Sequence, residues 1–560
     1  MNRAIRRRGL AVTAALSVLV PLSLSGCTSA SPDRPDRPRS SAAPDPADRP
    51  ELASFYRQKL DWTECGTYQC AQLTVPMDYA HPQDGRTFVL PVARAATADP
   101  DRRVGALVVN PGGPGASGVA SLLEEGTAES LGASTREHFD VVSFDPRGVG
   151  ASSPALTCEG KEGDSGGAVD EDDFPAGTQA LYPRTAEEQA AAVSAAQAEA
   201  EACRKHSGDI LPHVGTADVA RDLDVLRAAL GEKKLNYLGW SYGTSLGTSY
   251  AEQFPHRVRA MVLDGAVDPS LDWEERATSQ SLGFRRAVED YAERCADLVG
   301  DSCPAATPAG IRNLVNGLYE RAAHSPLPVD GGDIGLDATG VLNVVTLAMY
   351  NPESQWEGLS EALSAAASGD GTMLAALQYE EAEEAEPGET EPGEAEAGEA
   401  EAGDGATAST DGDGDGAPVD PVPGDNEYAA LTAVNCLDVP HPRDDRAYWD
   451  ALEDAHDAAG LYGTSGVLTE LTCKSWPSGT GRPHKVRAEG VPPVLVVGTT
   501  GDPATPYEEA VSLAEQFPGG MLLTYEGLGH TAYGRSGTCV TRNVDRYLVA
   551  LRPVPAGTVC

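Results

Sequence analysis

The sequence predicts an α/β protein built on a mostly parallel central sheet, and three observations carry that reading. Short, continuous apolar runs of four to eight residues recur along the chain, the form taken by strands buried on both faces. Patterns with apolar residues at three- and four-residue steps lie between them. Strands that alternate with helices build parallel sheets, because a parallel pair needs a crossover connection.

In chain order the expected strands are residues 88–95, 106–110, 139–144, 235–239, 258–263, 494–497 and 521–525. The second runs straight into Pro111-Gly112-Gly113-Pro114-Gly115, and the third ends in Asp145-Pro146-Arg147-Gly148. Residues 216–230 place Val219, Leu223, Leu226 and Leu230 on one helical face, with Thr216 the expected cap and Gly231 the stop. Residues 244–254 and 543–551 read as further helices. Two segments break the alternation. Residues 159–185 are rich in Gly and Asp and are expected to form a surface loop. Residues 271–435 carry helical patterns at 282–299, 309–323, 341–349 and 356–367. They also carry a low-complexity tract at 380–426, with 17 acidic side chains and no basic one, which is expected to be disordered. Asp411, Asp413, Asp415 and Gly416 copy the start of a calcium loop, but Val422 stands where its closing Glu belongs, so the tract reads as a solvated charge run.

The chain has 560 residues and a formal net charge of −43, from 42 basic and 85 acidic side chains. That balance argues against nucleic acid or an anionic membrane surface as partner, since both attract Lys and Arg clusters. Arg3, Arg6, Arg7 and Arg8 precede an apolar run from residue 10 to 24 that Pro21 interrupts, so residues 1–26 read as a signal peptide, exported by either the general or the twin-arginine route. Leu24-Ser25-Gly26-Cys27 resembles a bacterial lipobox, which makes Cys27 the expected lipidation site. Residues 27–50, with six prolines, then form an extended tether. Of the eleven cysteines, ten remain once Cys27 is set aside, and none has zinc-ligand spacing. Five disulfides in an oxidising compartment follow, with neighbours paired as 65–70, 158–203, 295–303, 436–473 and 539–560.

Gly239-Trp240-Ser241-Tyr242-Gly243 matches G-x-S-x-G, follows an apolar run and opens a helical pattern, the strand–turn–helix that exposes a serine hydroxyl. Such a hydroxyl needs a base, and the base needs an orienting acid. Of the six histidines beyond Ser241, His530 alone follows a late strand, in a glycine-rich loop, and is the expected base. Asp502, after the run at 494–497, is the expected acid, with Asp264, one strand earlier, as its rival. The backbone amide of Tyr242 and one from Gly112 or Gly113 are the expected donors to an oxyanion. No cofactor or metal is called for, and the spacing of the glycines is not that of a dinucleotide site.

Together Asn110-Pro-Gly-Gly-Pro-Gly115, Asp145-Pro-Arg-Gly-Val-Gly150, Gly239-Trp-Ser-Tyr-Gly-Thr244, Gly501-Asp502-Pro503 and Gly529-His530 resemble the secreted tripeptidyl aminopeptidases of actinomycetes, which are related to prolyl aminopeptidases. The resemblance covers most of residues 55–560. It implies an α/β-hydrolase fold, with flanking helices and a helical cap inserted after the sixth strand. Residues 51–270 and 436–560 would then be the two parts of the core, and 271–435 the cap. Ser241, Asp502 and His530 take the triad roles. An aminopeptidase must also bind an α-ammonium group, and Asp438, in Asn435-Cys436-Leu437-Asp438, is the candidate. The expected substrate is a peptide with a free N-terminus, acted on by a monomer at the cell surface or secreted. An esterase using the same triad is the alternative, and a non-catalytic surface binding protein is a third class. Epoxide hydrolases and dehalogenases are disfavoured, because their nucleophile is Asp.

Overall fold

Ten strands form the central sheet of a computed structural model that describes residues 49–158, 180–330, 335–383 and 426–560. They are β1 (Thr63–Cys65), β2 (Tyr68–Pro76), β3 (Thr87–Ala95), β4 (Gly105–Asn110), β5 (Phe139–Phe144), β6 (Leu235–Trp240), β7 (Val258–Asp264), β8 (Leu495–Gly501), β9 (Met521–Leu528) and β10 (Thr558–Val559). Their order is β1-β2-β3-β5-β4-β6-β7-β8-β9-β10. The pairs β1–β2, β2–β3 and β3–β5 are antiparallel, and every later pair is parallel. All six residues of each of β4, β5 and β6 are buried, including the polar Asn110, Asp140, Ser143 and Asn236 among their apolar residues. On one face Leu107, Val109, Leu238 and Val262 pack with Leu122, Val540, Val544 and Leu548 from flanking helices.

The registers bring the functional loops to one edge. Asn110 pairs with Gly239, Trp240 with Asp264, and Asp264 with Val497. The carboxyl ends of β4, β6 and β7 therefore lie level, with β8 running four residues further to Gly501, and this edge is where ligands bind in open α/β sheets.

A helical layer follows β7. Trp273–Leu298, Pro308–His324, Ala338–Leu347 and Pro352–Ala367 close on their own core around Tyr291, Val341, Trp356 and Leu363. The sequence placed the end of this insertion at 435, but the helices continue. Asp445–Ala459 and Leu461–Glu470 pack on Trp273–Leu298, and the sheet resumes only at Leu495. Helix Asp445–Ala459 buries Tyr448, Leu452, Ala455 and Ala459 on one side, so its apolar stripe belongs to the helical layer. The acidic tract is shorter than expected at both ends, because helix Thr372–Glu383 runs through residues 380–383 and helix Asn426–Asp438 begins at 426; residues 384–425 with the calcium-loop mimic, the signal segment, Cys27 and the tether up to residue 48 lie outside the described residues.

Thr216 is not a cap: Gly215 holds that position and Thr216 is the first helical residue, its side chain committed elsewhere. Helix Ala186–Ser207 went unread because it buries chiefly Ala192, Ala196 and Ala200, too small to stand out as a stripe, although Thr185 and Glu188 form a capping box. The five disulfides pair neighbours as expected.

Arg147, in the Asp-Pro-Arg-Gly segment, is a fastener of the fold. It is buried, makes a two-pronged ion pair with Asp222 at 2.7 and 2.6 Å, and donates to the carbonyls of Pro76, Met77 and His213. It thus ties the exit of β5 to the end of β2 and to helix Thr216–Ala229, and it has no exposure with which to meet a substrate. Arg147→Ala leaves the Asp222 carboxylate buried and unpaired. It is expected to lower unfolding free energy by about 3–5 kcal/mol, read by chemical denaturation.

Candidate active site

Ser241 sits between β6 and helix Gly243–Gln253 with φ 53, left-handed backbone that a non-glycine residue adopts only when its surroundings enforce it. The turn is closed tightly enough that a Cβ on Gly239 would stand 2.3 Å from the carbonyl oxygen of Gly243. The Ser241 amide donates to the carbonyl of Asp264 at 2.9 Å. The side chain borders a cavity of about 200 Å³.

His530 arrives in the loop after β9, between two left-handed residues, Gly529 (φ 84) and Thr531 (φ 63). Its Nδ1 lies 2.8 Å from Asp502 Oδ1, which assigns Nδ1 as the protonated nitrogen and leaves Nε2 with a free lone pair. Nε2 is buried and has no hydrogen-bond partner. The Asp502 carboxylate also accepts from the amides of Ala504, Thr505 and Thr531, which fixes it. The helical layer reaches this point too. The His530 amide donates to the carbonyl of Tyr350 at 2.8 Å, and the Tyr350 ring stands edge-on to the imidazole at 5.1 Å between centroids.

The structure thus brings Asp502 and His530 into direct contact and sets His530 and Ser241 against one segment, Asp264–Gly265. A Cβ on Gly265 would stand 3.2 Å from His530 Cε1, while Ser241 is bonded to Asp264. No hydrogen bond joins the Ser241 hydroxyl to Nε2 here, a contact that commonly tightens only when substrate binds. The rival acid Asp264 does not bond to His530; its carboxylate accepts from the amides of Ala532 and Tyr533.

The loop after β4 lies against the serine turn. Gly112 and Gly113 have φ 119 and 94, and a Cβ on Gly112 would come within 2.9 Å of Ser241 Cβ and 3.4 Å of the Tyr242 nitrogen. Tyr242 precedes the first turn of helix Gly243–Gln253, where amides have no partner within the helix. The Gly112 backbone therefore packs directly on the Ser241–Tyr242 turn.

Asp438 lines the same cavity, half-buried at the end of helix Asn426–Asp438. Its carboxylate accepts from the amide of Thr216 at 3.0 Å and from the Thr216 hydroxyl, which in turn meets the Tyr242 hydroxyl at 2.6 Å. Burial holds its carboxyl above the usual range. Sequence reasoning missed two further cavity residues. Glu509, buried in the first turn of helix Tyr507–Gln516, accepts from the Asp268 amide and the Ser279 hydroxyl, and burial pushes its carboxyl up to about 7. Arg276, from helix Trp273–Leu298, donates to Asn435 and opposes the charge of both acids. An acid at a helix start and an arginine on a cap helix are ordinary surface signals, and only the fold turns them inward.

Among the described residues His441, Glu470 and Cys473 cluster closely enough to suggest a metal site. Cys473 is bonded to Cys436, however, and His441 Nε2 is engaged by Glu470 at 2.6 Å.

A serine on a strand-to-helix turn, an acid-backed histidine and a glycine loop at one sheet edge define a serine hydrolase of the α/β-hydrolase fold. A family model described as alpha/beta hydrolase fold matches residues 105–304, and one described as TAP-like protein matches 459–560. Serine protease Hip1 of Mycobacterium tuberculosis is 35% identical over 90% of this chain and 91% of its own length. A tripeptidyl aminopeptidase of Streptomyces lividans is 33% identical over 90% and 87%. A protein named carboxylesterase B, also of M. tuberculosis, is 34% identical over 87% and 85%. The chain belongs to this family of TAP-like α/β hydrolases.

Gly112→Ala pushes a methyl group into the serine turn at a φ that alanine resists. It is expected to displace the Ser241 turn, lowering kcat by about 10²–10³-fold and the melting temperature with it, measured by steady-state kinetics beside a thermal melt.

Proposed function

We propose that the chain is an exopeptidase that releases short peptides from free N-termini, in the manner of a tripeptidyl aminopeptidase. The observation that carries this reading is the Asp438 carboxylate, fixed by Thr216, in the wall of the same cavity that holds Ser241. An ammonium group bound there would be oriented by a charge-assisted hydrogen bond while the scissile carbonyl lies against the serine. His530 takes the Ser241 proton through Nε2 as the hydroxyl attacks, and Asp502 stabilises the imidazolium that forms. The amide of Tyr242 and one from Gly112 or Gly113 receive the oxyanion. The protonated His530 then gives its proton to the leaving amine, and water, activated by the same imidazole, releases the acyl peptide. The five disulfides and the N-terminal segment support export, with anchoring through a lipid on Cys27.

The carboxylesterase B relative keeps an esterase in view as the second reading, since a triad does not choose between ester and amide. Purified protein offered unblocked and N-acylated chromogenic tripeptides beside a short-chain ester separates the two. Turnover confined to unblocked peptides supports the exopeptidase, and turnover of the ester alone selects the second reading. Ser241→Ala is expected to reduce whichever activity is found by about 10⁶-fold.

Asp438→Asn is expected to raise KM for unblocked tripeptides about 10- to 100-fold and to leave ester turnover near wild type, measured on both substrates. The raised Asp438 carboxyl gives this a pH signature. As pH falls the carboxylate takes up its proton earlier than an ordinary Asp does, so KM for unblocked peptides climbs on the acid side, and the Asn variant loses that climb.

A further inference from the structure

Asp264, at the end of β7, is fully buried and takes no part in the steps just described. Its hydrogen bonds nonetheless run to both halves of the reacting pair. Its carbonyl accepts the Ser241 amide at 2.9 Å. Its carboxylate accepts the Ala532 amide at 3.1 Å and the Tyr533 amide at 2.7 Å. The Thr531 amide goes to Asp502 Oδ2 at 3.0 Å, so three consecutive amides after His530 are directed at two buried carboxylates. This matters because both ends of the contact are conformationally disfavoured. Ser241 stands at φ 53 and the β-branched Thr531 at φ 63, and such backbone persists only where its surroundings over-determine it. Asp264 supplies a restraint to each, through its main chain and its side chain. Gly265, the next residue, has φ 67 and lies against His530 Cε1, so the same segment also forms part of the floor beneath the imidazole.

We infer that Asp264 is a positioning residue that couples the serine turn to the histidine loop, holding Ser241 and His530 in mutual register so that the hydroxyl–imidazole contact can close when substrate binds. The inference rests on the proposed roles of Ser241 and His530. The charged groups that face Asp264 are Asp502 and His530. Burial pushes its carboxyl up to about 6 even though two amides oppose that shift.

The test uses the full chain as Asp264→Asn and Asp264→Ala, on whichever substrate the wild type turns over. The expected result for Asp264→Asn, which keeps size and one acceptor oxygen, is a kcat about 10-fold below wild type with KM changed less than threefold. Labelling of Ser241 by a fluorophosphonate should slow in parallel. The acid limb of the kcat/KM profile should move to lower pH, because a negative charge beside His530 is gone. Asp264→Ala should fall further, about 100-fold, and if it does not fold the Asn variant decides alone. A kcat for Asp264→Asn within twofold of wild type overturns the inference. So does a loss of rate that only tracks a smaller labelled fraction, with an unmoved pH limb, since that is the behaviour of a merely structural residue. Ser241→Ala in parallel keeps the two ideas apart. Persisting activity there defeats the serine mechanism itself, whereas a dead Ser241→Ala beside an unaffected Asp264→Asn defeats only the coupling.

Discussion

Everything at the reactive edge follows from the need to hold a serine in left-handed backbone at the end of a buried strand. Ser241 at φ 53 turns its hydroxyl off the sheet, and that conformation is tolerated only because the turn is gripped from several sides. The glycines at 239 and 243 leave room for the chain to double back, the Gly112 loop closes over the turn, and the end of β7 takes up its amide. The parallel registers that bring Asn110, Gly239, Asp264 and Val497 level are therefore not incidental to the chemistry. They put four loops where a single strained residue can be shared among them.

The parts of this arrangement that were legible in the sequence are those in which local chemistry and global fold agree. The fully buried strands announced themselves as short, predominantly apolar runs, and the glycine-framed serine and the late Gly-His loop stood at the ends of such runs. What stayed hidden did so for physical reasons. Helix Ala186–Ser207 buries mainly alanines, so its stripe has little contrast. The hairpin of β1 and β2 is largely half-exposed and mixed in character, which blurs a period of two. Thr216 looked like a cap because cap and cavity residue draw on the same short hydroxylic side chains; only the approach of Asp438, from 222 residues further on, assigns it. The preference for Asp502 over Asp264 came from its place after a late strand, and in the structure Asp502 is the one that bonds to the imidazole while the Asp264 carboxylate accepts backbone amides.

The cleft is also a study in how a fold manages charge away from water. Asp438 and Glu509 are both satisfied by neutral donors, an amide and a hydroxyl each, while Arg276 opposes them without capping either. Arg147 and Asp222 show the other solution, a complete and fully enclosed pair. The first leaves acceptor capacity facing a cavity, and the second leaves none. That difference separates a carboxylate available to a ligand from one reserved for architecture.

The hydrogen bond from the His530 amide to the carbonyl of Tyr350 crosses from the sheet-edge loop to the segment between cap helices Ala338–Leu347 and Pro352–Ala367. It ties the seat of the imidazole to the placement of that segment, so a substitution that displaced Tyr350 would be felt at the ring although every member of the triad is unchanged.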